Sequence, residues 1–367
     1  MRAVTLMANS GGNGSTLDKV NRRIVTLLAA LAPIVVLGIV GSLVTVPYVA
    51  LGPGPTFNTL GTVDTTVDGK QVTKSVVDIE GTELDPTTGN LNMTTVSVRD
   101  GLNLFEAFGL WASGEHGLVP RAEVYPPSKT KEEIQQANTA DFQQSENSAE
   151  LAALNFLGKP VALTVTKVTP DGPASGALAE GDTLVKIGDT PVDTVGAVQE
   201  TVAAIAPGTQ VPVTVIRGGA ETTVPVTVGA RPNQPELGYL GITPEEVPDV
   251  PFDVTFNLAD IGGPSAGLMF TLALLDKLTP GELNGGQFVA GTGTIDSDGT
   301  VGPIGGIRFK LIAAADAGAS TFLVPAQNCD EAKQNAPDGL RLVKVDNLSG
   351  AVDALDSLNS GGEAPSC

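Results

Sequence analysis

One histidine in 367 residues leaves little material for the commonest hydrolytic chemistry. A Ser-His-Asp triad or an imidazole-bound metal would have to rest on His116 alone, and a lone histidine in the loop "SGEHGLVP" is expected to be structural. The only cysteines are Cys329 and Cys367, so there is no Cys/His cluster of metal-ligating spacing, and no cofactor is implied. No Gly-x-x-x-x-Gly-Lys-Ser/Thr string occurs, so these residues hold no Walker A nucleotide site. Basic residues are also short: 21 Lys and Arg against 41 Asp and Glu give a net charge of −20, a surface that repels nucleic-acid phosphates. Aromatics are scarce at 4%, while 44 Gly and 26 Pro predict many turns and short elements.

What the chain does have is a long uncharged run near its start. Residues 24–51 follow Asn21-Arg22-Arg23 and exceed the roughly 20 apolar residues that a membrane-crossing helix needs. Pro33 inside the run is tolerable there. Arg2, Lys19, Arg22 and Arg23 precede it, opposed by Asp18 alone, which predicts a cytoplasmic 1–23 and everything beyond Pro53 outside. The rival is a cleaved signal peptide. Ala30-Leu31-Ala32 comes too early to follow a full apolar core, and Tyr48-Val49-Ala50 is a poor peptidase site, so a retained single-pass anchor in the cell membrane is the preferred reading. In an exported chain Cys329 and Cys367 are permitted to bond, tying the C-terminal tail to the last domain; two unrelated thiols are the alternative.

Beyond the anchor, residues 51–61 read as a Pro/Gly-rich connector and residues 62–100 as short strands. Residues 102–112 and 131–157 read as helices, the second so polar that only a narrow stripe can be buried. From 159 to 230 the pattern is denser. A strand at 160–168 leads through a turn to "TLVKIGDTPV". Val195, Val198, Val202 and Ile205 follow at helical spacing, ended by Pro207-Gly208, and then two strands joined through Gly218-Gly219.

Ser265 lies in "GGPSAGLMF", just ahead of an apolar helix, and Lys310 ends "GPIGGIRFK". A serine hydroxyl is a weak nucleophile until something takes its proton, and a neutral lysine can do so when burial lowers its pKa. A helix start offers unpaired backbone N–H groups for a developing negative charge, with Gly263 and Ala266 the candidate positions. Taken singly, the first string reads equally as a helix N-cap and the second as a solvated lysine.

Two resemblances bind these pieces together. Gly172-Pro173-Ala174, Leu178, Gly181-Asp182, Ile187-Gly188, Pro207-Gly208 and Arg217 make residues 151–232 resemble a bacterial PDZ domain. Such a domain captures a peptide end as an added strand, with backbone N–H groups on its carboxylate. Phe156-Leu157-Gly158, ahead of the first strand, are the candidate carboxylate loop, with "GYLGI" at 238–242 as a second candidate. Residues 254–345 resemble the proteolytic domain of Lon proteases. The resemblance rests on Gly263-Pro264-Ser265-Ala266-Gly267, "VAGTGTIDSDGTVGPIGGI", Lys310 and "AADAGASTFLVPAQN". It implies Ser265 as nucleophile, Lys310 as its base and Thr292 as a residue that helps position the lysine. Two departures stand out: Gly262 where the family has an acid, and Thr294 where it has Glu, with Asp260 and Asp296 as nearby carboxylates.

The expected architecture is α+β and multidomain. A cytoplasmic 1–23, a transmembrane helix at 24–51 and a connector with helices at 52–150 precede a PDZ-like domain at 151–232, a Lon-type proteolytic domain at 236–358 and a tail at 359–367. The layout looks like the Lon-like PDZ-containing membrane proteases of Gram-positive, especially actinobacterial, cells. It implies an ATP-independent serine endopeptidase acting on unfolded or flexible protein segments, with no nucleic-acid partner and with homo-oligomers, hexameric by resemblance. The alternative of another class is a membrane-tethered binding or scaffold protein with an inactive Lon-like domain.

Overall fold

In a computed structural model, residues 14–67, 69–258 and 261–367 are described; Arg2 and Asp260 lie outside them. The chain divides into two compact units, one of Met1–Gly52 with Ser97–Lys129 and one of Pro53–Val96 with Thr130–Cys367.

The smaller unit begins with the helix Gly14–Leu43. Its stretch Arg22–Leu43 is almost entirely exposed, and is long and apolar enough to cross a bilayer, a description that a signal sequence also meets. Pro33 sits inside the helix. The strand that starts at Tyr48 then pairs antiparallel with Gly117–Pro120. The helix Leu104–Ala112 starts at Asn103, whose side chain accepts from the N–H groups of Phe105 and Glu106 while Glu106 reaches back to the Asn103 N–H. This reciprocal cap satisfies donors that a helix start otherwise leaves open. Ala50, Leu102 and Ala107 form a small core with Val46, Leu110 and Leu118. His116 packs its ring against Gly52, where a side chain would collide with it.

Among the described residues the larger unit holds two large sheets, besides four two-stranded ones. In the first, the strands Arg341–Val345, Thr321–Pro325, Phe288–Gly291, Asn90–Arg99 and Tyr48–Asn58 lie in that order, and the first four run parallel. Residues 53–58, read from sequence as connector, and residues 90–96, read as a short strand, are both part of this sheet. Its strands are covered by the helices Gly267–Leu278, Ile307–Asp316 and Leu348–Asn359, and its core runs from Leu91 and Met93 through Phe270 to Leu355. The helix Lys131–Phe156 is capped by Thr130 and Glu133 in the same reciprocal way. It buries Phe142, Ser145 and Ala149 at helical spacing, but Leu151, Ala152, Ala153 and Leu154 are all buried near its end, so the last turns are enclosed on more than the narrow stripe expected from sequence; Phe142 packs edge-on against Phe270 at 5.7 Å.

In the second sheet the order is Ala220–Thr227, Gln210–Arg217, Thr183–Ile187, Val161–Val168 and Ile242–Pro248. The helix Val195–Ala203 closes its core through Val198 and Val202. Asp182 is buried and receives both Nε and Nη2 of Arg217, at 2.7 and 2.6 Å, so two of the residues carrying the sequence resemblance meet in one bidentate pair. The guanidinium holds the Asp182 carboxyl below its usual range. This module reaches beyond the residue 232 expected from sequence, because Ile242–Pro248 pairs with Val161–Val168 along its whole length.

Cys329 and Cys367 are bonded, with their Cα atoms 5.1 Å apart. The C-terminal tail lies along the outer strand of the first sheet: the Lys344 N–H donates to Pro365 O, and Val343 bridges to Ser366.

Candidate active site

Ser265 and Lys310 are 45 residues apart in sequence and 3.0 Å apart between Oγ and Nζ. Tertiary packing fixes both. The chain turns at Gly263 with φ +87°, a conformation that disfavours any residue bearing a Cβ, and the Gly263 N–H donates to Asn138 O at 2.9 Å. Pro264 O accepts from Ser145 Oγ at 3.1 Å. Ser265 O accepts from the Gly293 N–H and from Thr292 Oγ1, each at 3.0 Å. The serine is thus clamped from both sides, by the long helix Lys131–Phe156 and by the segment before the hairpin at 294–302. Gly267 begins the next helix because a side chain there would meet Ile295 Cγ2 at 2.9 Å.

Lys310 enters from the first turn of Ile307–Asp316, whose cap Gly306 has φ +70° and lies against Val96. The lysine is 2% exposed, and its Nζ also donates to Thr94 O at 2.5 Å. Neither contact is with a carboxylate. Burial, with no counter-charge beside it among the described residues, lowers the ammonium from its ordinary 10.5 to about 7. The pair opens into a pocket of about 390 Å³ walled by Met93, Thr95, Val96, Phe142 and Ile261. This is the arrangement that lets an amine take a proton from a hydroxyl near neutral pH.

Of the two expected oxyanion positions, Gly263 is corrected: its N–H is already spent on Asn138 O. Among the described residues no protein acceptor faces the N–H groups of Ser265 and Ala266, which leaves these two for a developing oxyanion. Thr292 is fully buried, but its hydroxyl holds the carbonyl of Ser265. Gly262 has a physical reason of its own: a Cβ there would stand 2.8 Å from Asn138 Cβ, so the long helix leaves no room for an acidic side chain. Thr294 lies in the hairpin at 294–302, opposite Gly302. His116 belongs to the smaller unit, 3.4 Å from Ser113 Oγ. Thr94 and Asn138, which complete the site, carry no motif and were not among the residues singled out from sequence.

A second concave site of about 270 Å³ lies between Val198 and Val202 of the module's helix and the strand beginning at Ile242, with Gly238, Tyr239, Leu240, Gly241 and Arg231 at one end. Gly238 lies against the Val202 carbonyl, where a side chain would collide. Phe156, Leu157 and Gly158 are not in this groove; they end the long helix. The strand after them, Val161–Val168, has neighbours on both sides and offers no open edge, whereas Ile242–Pro248 is an edge strand of this sheet.

Residues 138–228 match the family model of the PDZ domain, and residues 259–355 match that of the Lon protease (S16) C-terminal proteolytic domain. The chain carries a PDZ domain and a Lon-type proteolytic domain. Ser265, Thr292 and Lys310 all fall within the second match. Over 120 residues the chain is 35% identical to the Lon protease of Phenylobacterium zucineum, covering 31% of this chain and 15% of that protein. The Lon protease of Campylobacter concisus is 40% identical over 96 residues, 26% of this chain and 11% of that protein. The chain thus spans about a seventh or less of the length of these relatives. Among solved structures, the PDZ domain of the SdrC-like protein from Listeria innocua is similar at 19% identity and a TM-score of 0.21, covering 23% of this chain and 93% of that one.

Proposed function

We propose that this chain is a membrane-anchored serine endopeptidase in which Ser265 is the nucleophile and Lys310 its general base. The observation that carries the reading is a lysine with no carboxylate partner among the described residues, held near neutrality by burial, at 3.0 Å from a serine inside the Lon-type domain. With a pKa of about 7, roughly half of the amine is neutral at pH 7. Ser265 Oγ attacks the substrate carbonyl carbon and its proton passes to Lys310 Nζ. The oxygen that becomes negative faces the N–H groups of Ser265 and Ala266. The C–N bond then breaks, the amine leaves with the lysine's proton, and water releases the acyl group by the same route. Thr94 O supports Lys310 from behind without adding charge, and Thr292 holds the peptide of the nucleophile.

The groove of the PDZ domain supplies capture. A chain end added beside Ile242–Pro248 would place its carboxylate at the loop 238–241, next to Arg231. Substrates are flexible or unfolded segments, because these 367 residues hold no Walker A site to drive unfolding. The bulk of the chain stands outside the membrane, as the basic residues before the apolar run favour, and assembly into homo-oligomers is proposed from the resemblance to Lon. The test is cleavage of casein by the full chain in detergent, beside Ser265→Ala and Lys310→Ala. Ser265→Ala is expected to lose roughly 10⁶-fold in rate and Lys310→Ala at least about 10³-fold. Undiminished cleavage by either variant refutes the dyad.

A further inference from the structure

The helix Leu104–Ala112 has no polar face. Ala107 and Leu110 turn inward to the core of the smaller unit. Leu104, Phe105, Phe108 and Trp111 point outward with 51, 52, 63 and 60% of their surface exposed. The single charged side chain, Glu106, is taken up by the Asn103 cap. A nine-residue helix that is apolar on both sides would be a poor surface for water. Its position says what covers it. The Phe105 ring occupies the space beside Gly41, in the last turn of Gly14–Leu43, and closes to 2.6 Å of where a Cβ at Gly41 would stand. Leu102 O accepts the Val46 N–H, and Thr45 bridges to Asn103. The aromatic face therefore lies level with the end of the apolar helix, where Trp and other aromatic rings are favoured between hydrocarbon and headgroups.

We propose that this outward face seats in the bilayer interface and fixes how the smaller unit stands on the membrane. The inference rests on reading Arg22–Leu43 as a retained membrane span. Attachment is apolar, since neither the helix nor the chain's net charge of −20 attracts anionic headgroups.

Trp111 is the only tryptophan, so its fluorescence reports this face alone. The full chain is reconstituted in phosphatidylcholine vesicles. Trp111 emission is expected to be blue-shifted, insensitive to salt and to aqueous iodide, and mostly lost when the lipid carries bromine high on its acyl chains. Bromine near the chain ends quenches less. Phe105→Ser combined with Phe108→Ser should weaken that quenching while the protein still floats with the vesicles. A chain that floats while Trp111 ignores bromolipid and responds to iodide overturns the inference and leaves the anchor standing. Insensitivity to both quenchers overturns it in favour of a second protein surface. A chain that does not float removes the anchor reading and this proposal with it.

Discussion

The burial of Lys310 carries a thermodynamic signature that can be measured apart from activity. The folded amine titrates at about 7 and the unfolded one near 10.5. At pH 7.5, folding therefore costs about 4 kcal/mol in deprotonating this one side chain. Lys310→Met keeps the length and removes that cost, but it strips Thr94 O of its partner, a loss of about 1–3 kcal/mol. The variant is thus expected to be about 1–3 kcal/mol more stable than the parent at pH 7.5. Because the folded pKa is depressed, the unfolded chain binds the extra proton between pH 7 and 10.5, and the parent gains stability as pH rises through that window. From pH 7.5 to 9.5 the gain relative to the variant is about 2–3 kcal/mol, as large as most of the difference itself. Glu146 and Glu150, raised to about 7 by burial, destabilise the fold as pH rises towards 7, below this window. Lys277, lowered by burial, is common to both proteins and drops out of the comparison. Urea unfolding of the full chain in detergent micelles, followed by circular dichroism at pH 7.5 and 9.5, reads the effect. A difference between parent and variant that does not change with pH refutes the reasoning.

Four further outcomes follow. Casein cleavage by the parent should rise with pH through about 7 and then level off, because the neutral amine is the active form; a rate independent of pH between 6 and 8, checked by initial velocities, would contradict Lys310 as base. Gly262→Asp should displace the Ser265 loop against Asn138 and lower kcat by roughly 10²-fold, as expected for a shift of about 1 Å, with little change in KM. Arg231→Glu should raise KM for substrates with a free C-terminus and leave kcat and C-terminally amidated substrates alone, since Arg231 lines the groove and not the pocket of Ser265. Cys329→Ser releases a loop with a sequence separation of 38 and should cost up to about 4 kcal/mol in urea unfolding, with the loss abolished when both proteins are measured under reducing conditions.

The two residues of the proposed dyad, which the fold brings to 3.0 Å, could be singled out from the chain because each sits in a local pattern. Ser265 precedes an apolar helix within a Gly-Pro-Ser-Ala-Gly string, and Lys310 follows a glycine pair at the start of another helix. What completes the site could not be read. Thr94 is 216 residues from Lys310 and Asn138 is far from Gly263, and both act through backbone carbonyls, which every residue type possesses. The groove loop had two candidates in sequence because hydrophobic-Gly pairs recur at 157–158 and 240–241. Strand order separates them: Val161–Val168 is interior to its sheet and Ile242–Pro248 is at the edge. Residues 53–58 read as connector and 90–99 as an isolated short strand because short strands do not announce their partners; Asn90–Arg99 finds its place between Phe288–Gly291 and Tyr48–Asn58.

The sequence by itself determined which reactive groups exist here: one serine and one lysine in paired motifs, a single histidine to compete with them, an apolar run long enough to span a bilayer, and two cysteines. Composition and local pattern are enough for that, since they set what chemistry is available and where helices begin. The tertiary structure alone decided that Nζ stands within reach of Oγ, that the lysine is buried with no carboxylate beside it among the described residues, and that Asn138 excludes a side chain at 262. Those are properties of distance and burial, created only when the helix Lys131–Phe156 and the strand Asn90–Arg99 close around the two motifs.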